Sequence, residues 1–241
     1  MTAGRSIQML ALTASLVTAA CSSTPASPSL APTTSTTSAA GDPVRNPATA
    51  RYRATFQATW SVATHPVDFP AAAHFSPLVG GTHNAQVTFW REGANATDGI
   101  KDMAERGLTS TLSTEINAAI AAGTAEHVFT GSNVAVSPGT ATAEFEISQT
   151  YPLVTLVSMI APSPDWFVGV SAVPLFQSGQ WTNELQFTLD PWDAGTDGGV
   201  TFESPDLPLV PRLPISRIVA APLSPSGRVT PLGTFTFTRI P

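Results

Sequence analysis

A chain of 241 residues has room for one ordinary domain or two small ones, and an apolar fraction of 42% can furnish a core. Only 12% of residues are charged, the formal net charge is −6, and no basic run occurs, which excludes nucleic-acid binding through clustered Lys and Arg. The 22 prolines argue against a helical bundle and for strands and loops.

The chain opens "MTAGRSIQMLALTASLVTAAC". Arg5 is followed by an apolar run from about Ile7 to Val17 and then by small residues. Residues 1–20 therefore read as a secretory signal peptide, too short to span a bilayer. Cys21 follows directly and is the only cysteine, so it cannot form an internal disulfide. The stretch resembles a bacterial lipoprotein signal, in which the first mature cysteine is lipidated, with Thr18 where such signals usually carry Leu. Ordinary secretion and an uncleaved anchor are the alternatives. Acyl chains on Cys21 would hold the protein to a membrane outside the cytoplasm, each buried methylene contributing about 0.8 kcal/mol. Residues 21–50 are rich in Ser, Thr, Ala and Pro, with no aromatics, and read as a disordered tether.

Globular patterning occupies 51–241. In "YRATFQATW", Tyr52, Ala54, Phe56, Ala58 and Trp60 alternate with polar residues, the period of a half-buried strand. "NAQVTFWRE" (84–92) is apolar and β-prone, and "TATAEFEIS" (140–148) alternates with Glu144 and Glu146 on its polar face. "LVTLVSMI" (153–160) is continuous and apolar, as in a central strand. "WFVGVSAVPLF", "NELQFTL", "GGVTFES", "ISRIVAAP" and "GTFTFTRI" complete a series of short strands spaced by turn residues, which predicts an antiparallel sandwich or barrel. Two segments form a helical insertion: 97–107, with Asp98 as N-cap and Gly107 as stop, and 109–123, with Leu112, Ile116 and Ile120 on one stripe.

"PWDAGTDGG" (191–199) sets Asp193 and Asp197 four apart among glycines, with no Lys or Arg inside it. Asp165 stands in "APSPDWF" after the apolar run. If these loops open at one end of a sandwich, three carboxylates converge. Calcium takes six to eight oxygens at about 2.3–2.6 Å, and a Gly-rich turn can add carbonyls. No thiolate or imidazole lies in these loops, so a hard cation fits better than zinc. The plainer alternative is a solvated Asp–Gly turn, since these residues are ordinary turn formers.

The pieces "FQATWSVATHPVDFP", "AHFSPLVGGTHN", "GIKDMAERG", "APSPDWFVGV" and "LDPWDAGTDGG", in that order, resemble the spondin domain of the F-spondin and mindin type. The resemblance covers about residues 52 to 205. It implies an antiparallel β-sandwich similar to calcium-dependent phospholipid-binding domains, with a calcium or related divalent ion held by loop acids. The family's metal-binding Asp of "PSPDW" falls on Asp165, and its two Asp of "PWDAGTD" fall on Asp193 and Asp197. Some members add a Glu on an upstream strand, at about the position of Glu146, which otherwise reads as part of a solvated strand face. Animal members carry cysteines and further adhesive repeats, so their integrin and microbial-glycan partners are not carried over.

The expectation is an exported, non-enzymatic binding or adhesion module with an unknown protein or glycan ligand. The alternative is a metal-dependent cell-envelope hydrolase with His83 as its base. His65, His74 and His83 lack the spacing of an H-E-x-x-H helix and read as hydrogen-bonding loop residues. No G-x-S-x-G or phosphate-binding glycine loop occurs. The five tryptophans read as packing, with Trp192, beside the acid loop, as the one to test for ligand contact.

Overall fold

The computed structural model describes residues 47–225 and 227–241. The signal peptide, Cys21 and nearly all of the tether lie outside the described residues. The domain is mainly β, as the patterning predicts, and its antiparallel strands form a sandwich.

The first layer is a four-stranded sheet. In β1 (Thr49–Ala58), Tyr52, Ala54, Phe56 and Ala58 are fully buried, and Arg51 and Arg53 point outward to Glu144. Two strands flank β1: β5 (Gly139–Ser148) and β13 (Gly233–Ile240). The edge strand β10 (Glu184–Leu189) pairs with β13.

The second layer is built on β6 (Leu153–Ala161), which pairs with β3 (Val79–His83), β7 (Trp166–Pro174) and the short β2 (His74–Phe75). Edge strand β4 (Ala125–Thr130) pairs with β3, and β11 (Trp192–Asp193) joins β7 to β12 (Ser216–Arg217). A separate hairpin pairs β8 (Phe176–Gln177) with β9 (Gln180–Trp181).

β6 reads as unbroken apolar sequence because both its faces are covered. Val154, Leu156 and Ile160 join the core between the sheets, with Phe56, Phe75, Phe235 and Phe237. Val157 and Met159 join a second core on the other side, beneath α1 (Asp98–Arg106) and α2 (Ser110–Ala121), with Ile100, Met103, Leu112 and Ile116. Close approach explains the glycines of β3: a Cβ on Gly81 would lie 2.8 Å from Ile116 of α2. Thr97, not Asp98, caps α1, its Oγ1 accepting the Ile100 N–H at 3.2 Å. Gly107 ends α1 in the left-handed conformation, φ 66°.

Three predicted strands are corrected. Segment 84–92 is a loop, with an Asx turn in which the Gln86 N–H donates to Asn84 Oδ1 at 2.9 Å, and Phe89 and Trp90 are buried under the second core. Segment 198–204 is a turn held by Ser204 Oγ, which accepts the Val200 and Thr201 N–H groups. Of 215–222 only Ser216–Arg217 is strand.

The register defines two poles. Arg51 lies opposite Ile240, Ala58 opposite Gly233, and Leu189 opposite Gly233. At one pole the described chain begins: the Pro47 carbonyl accepts from Trp181 Nε1 at 2.8 Å, and the Pro241 carbonyl accepts from Arg51 Nη1 at 3.2 Å. The other pole holds the loops after Ala58, Ala161 and Leu189.

Candidate functional site: the acid loop

The acid loop grows out of the sheet edge at that far pole. β11 sets Asp193 opposite Trp166, one residue from Asp165, and the Ala194 N–H donates to the Asp165 carbonyl at 3.1 Å. Gly195, at φ 72°, turns the chain so that residues 196 and 197 face the Asp165 side chain. Asp165 is completely buried. Its Oδ2 accepts the Thr196 N–H at 2.7 Å, the Asp197 N–H at 3.0 Å and the Thr196 hydroxyl at 3.2 Å. Its Oδ1 is buried with no partner.

Asp193 Oδ1 accepts the Gly195 N–H at 2.7 Å. Asp197 uses both oxygens: Oδ1 accepts from the Gly199 N–H and Oδ2 from the Leu207 N–H, each at 2.7 Å. Leu207 belongs to a strap, residues 205–214, that lies along the loop. Gly198 N–H donates to the Leu207 carbonyl at 2.8 Å, Leu209 N–H to Thr196 at 2.9 Å, and Leu213 N–H to Gly195 at 2.8 Å.

Five backbone N–H groups thus stand against three carboxylates, and among the described residues no Lys or Arg makes an ion pair with any of them. The charge is not fully balanced. Burial, and then the neighbouring Asp193 carboxylate, push the Asp165 pKa up to about 7, against the N–H donations from Thr196 and Asp197. Burial also raises Asp193; the Gly195 N–H opposes the shift and the Asp197 charge adds to it.

The donors present suit a hard cation in part. Asp165 Oδ1 is an unsatisfied, dehydrated oxygen beside a second carboxylate, which a divalent ion would satisfy. However, among the described residues no three His, Cys, Asp or Glu side chains converge closely enough to share an ion. The expected three-carboxylate cluster is therefore corrected to an Asp165–Asp193 pair, with Asp197 in the same loop but committed to Gly199 and Leu207.

Glu146 is elsewhere. It is exposed on the outer face of β5, opposite Arg51 in the register. It lies near the end of β5 that turns into the start of β6, whereas Asp165 follows the far end of β6, roughly 30 Å away at strand rise. Trp192 is covered rather than displayed: it is 9% exposed, packs edge-on against Trp90 at 5.3 Å, and carries the Arg217 guanidinium at 5.2 Å over its ring. The other four tryptophans are buried too.

His83 cannot serve this loop as a base. It is fully buried on β3 opposite Leu153, at the start of β6, with Nδ1 bonded to the Asn84 carbonyl and Nε2 to Thr155 Oγ1, both at 2.9 Å. Burial lowers its pKa. His65 likewise bridges Thr64 and the Thr230 carbonyl, and His74 bonds the Ala72 carbonyl. Sequence reasoning missed Thr196 and the strap, for which the proline-rich composition of 205–214 carries no specific signal.

A two-layer antiparallel sandwich with paired acids in the loops at one pole and a helical insertion on one sheet defines the class of domain. The chain belongs to the Spondin_N family, whose model matches residues 50–228. It is 36% identical over 195 residues to Spondin-2 of Rattus norvegicus, covering 79% of this chain and 58% of the relative. It is 36% identical over 197 residues to Spondin-2 of Homo sapiens and 36% identical over 208 residues to Spondin-1 of Mus musculus. The chain thus spans a little over half the length of the Spondin-2 relatives and 25% of Spondin-1.

Proposed function

We propose that this protein is an extracytoplasmic binding or adhesion module whose acid loop holds a divalent cation, calcium best matching its oxygen donors. The observation that carries this reading is Asp165 Oδ1, buried and unpartnered beside Asp193. A cation there would compensate the burial of the Asp165 carboxylate, the main cause of its raised pKa, and offset the smaller repulsion from Asp193. Asp165 and Asp193 supply the charge, loop carbonyls and water the remaining oxygens, and Asp197 anchors the strap that closes the loop. The ion supplies no chemistry in this reading; it stiffens one pole of the sandwich.

Lipidation at Cys21 would tie the module to a membrane. The first described residue, Pro47, is at the pole opposite the acid loop, which leaves the loop pole clear of the point where the chain enters the domain. That geometry supports presentation of the loop pole to a protein or glycan ligand outside the cell.

The test is a calcium titration followed by thermal unfolding. A one-site ion at a hundred times its dissociation constant adds about 2.7 kcal/mol. Wild type should shift upward and Asp193→Asn should not; a wild-type midpoint indifferent to calcium and to chelator rejects the site.

A further inference from the structure

A cleft of about 420 Å³ opens between the loop after β1 and the turn at 198–204. Asp68, Phe69 and Pro70 line one side of it, and Thr201, Phe202 and Glu203 the other. None of these residues belongs to the Asp165–Asp193 pair. The cleft has an aromatic base. Trp60, fully buried, lies edge-on to Phe69 at 5.3 Å and tilted against Phe202 at 5.4 Å, and Phe202 meets Trp166 at 5.4 Å. Phe202 is buried, whereas Phe69 is only partly covered and offers the cleft an aromatic surface.

Both walls are held in place. In the loop after β1, His65 Nε2 bonds the Thr230 carbonyl at 3.2 Å, and the carbonyl of buried Pro70 accepts the Ala73 N–H at 3.2 Å. Asp68 stands between them in the left-handed region, at φ 48°. In the turn, Ser204 Oγ accepts the Val200 and Thr201 N–H groups. A cleft formed in advance loses little conformational freedom when it is filled.

Charge decides the occupant. Asp68 and Glu203 are exposed, one on each wall, and among the described residues neither makes an ion pair. No Lys or Arg lines the cleft. Two other clefts hold their own counter-ions: Asp190 beside Arg217 at 3.3 Å, and Glu144 beside Arg53 at 2.7 Å. A flat cation suits an aromatic surface between two free carboxylates. A guanidinium stacks on the ring and donates in its own plane to carboxylates at its edge. A neutral side chain would gain from the ring alone.

We infer that this cleft binds an arginine side chain presented by a partner protein, the guanidinium stacked on Phe69 between the Asp68 and Glu203 carboxylates. The inference rests on the binding-module reading above and gives it a partner chemistry, a basic segment. It needs no ion at Asp165.

The experiment follows amide and indole NMR signals of the isotopically labelled exported chain carrying Cys21→Ala, in chelator. The probe is the peptide acetyl-Ala-Ala-Arg-Ala-Ala-amide, with Gln in place of Arg as the control. The Arg peptide should give saturable shifts confined to residues 67–71, residues 200–204 and the Trp60 indole, and the Gln peptide should not. Asp68→Asn combined with Glu203→Gln, two exposed sites, should weaken binding roughly tenfold or more. Phe69→Leu, which keeps both charges, should weaken it about threefold. Equal binding of the two peptides, shifts spread over the surface, or a double variant that binds like wild type overturns the inference. Calcium thermal shifts measured in parallel separate the two sites. A calcium shift without peptide binding overturns the cleft and leaves the acid-loop ion standing; peptide binding without a calcium shift does the reverse.

Discussion

The Asp197 backbone N–H donates to Asp165 Oδ2 at 3.0 Å, joining two loops that are 32 positions apart in the chain. One carboxylate thus organises the turn that carries another. The buried Asp165 side chain fixes the loop through its Oδ2, and its Oδ1 is left buried with no hydrogen-bond partner.

The first prediction concerns pH. The Asp165 pKa is about 7 in the fold and 3.8 ordinarily, so the folded state holds that proton more tightly than the unfolded chain does. The associated stability is complete below about pH 4 and is lost as pH rises through about 7, a change of a few kcal/mol. Asp193, also raised, adds in the same direction. In chelator, Tm should fall between about pH 5 and pH 8. Calcium should restore it at the upper end and add little at the lower, where protons compete. A Tm that is flat or rising over this window in chelator contradicts the burial of a charged Asp165.

Gly195→Ala should destabilise the domain by roughly 2 kcal/mol or more. The φ of 72° is unfavourable for Ala, and a Cβ there would lie 2.1 Å from the Leu213 carbonyl oxygen, backbone against backbone. The strap would have to leave the loop. Urea unfolding measures this, and a loss below about 0.5 kcal/mol would show that the strap is not held as described.

Glu146→Gln should leave the calcium response unchanged and stability within about 0.5 kcal/mol of wild type. The side chain is exposed on β5 and remote from the acid loop. A variant that loses its calcium shift would place Glu146 in the ion site after all.

Thr97→Ala should cost about 1 kcal/mol. Thr97 Oγ1 accepts the Ile100 N–H and donates to Glu115 Oε2 at 2.7 Å, while Glu115 Oε1 accepts the Gly99 N–H at 2.7 Å. One residue caps α1 and ties it to α2. Denaturant midpoints of Thr97→Ala and Thr97→Ser separate the cap from the packing: Ser should recover most of the loss.

Much of this architecture is legible before any coordinates. β1, β5 and β13 carry a clean period of two because one face of the four-stranded sheet meets solvent. β6 announces itself by its length of apolar sequence. β3 does not, because Gly80 and Gly81 weaken any strand signal; they are there because Thr155 and Ile116 approach too closely for a side chain. Segment 84–92 looks like a strand because Phe89 and Trp90 are apolar, but their burial comes from packing under the helices rather than from a ladder.

The acid loop is half legible. Its carboxylates, glycines and the nearness of Asp165 to Asp193 follow from spacing and resemblance. The engagement of Asp197 does not, since its partner Leu207 lies ten residues on in a stretch with no distinctive pattern. The distance of Glu146 from the loop needs the sheet register, which the alternation of β5 alone does not supply.

The most direct measurement is terbium luminescence excited through tryptophan. An ion held by Asp165 and Asp193 adjoins Trp166 and Trp192, each next in sequence to one of those acids. Terbium should show saturable, tryptophan-sensitised emission that calcium displaces, and Asp165→Asn should abolish it while the variant remains folded in chelator. Emission that is absent from wild type, or that persists undiminished in Asp165→Asn, would contradict an ion at this pair.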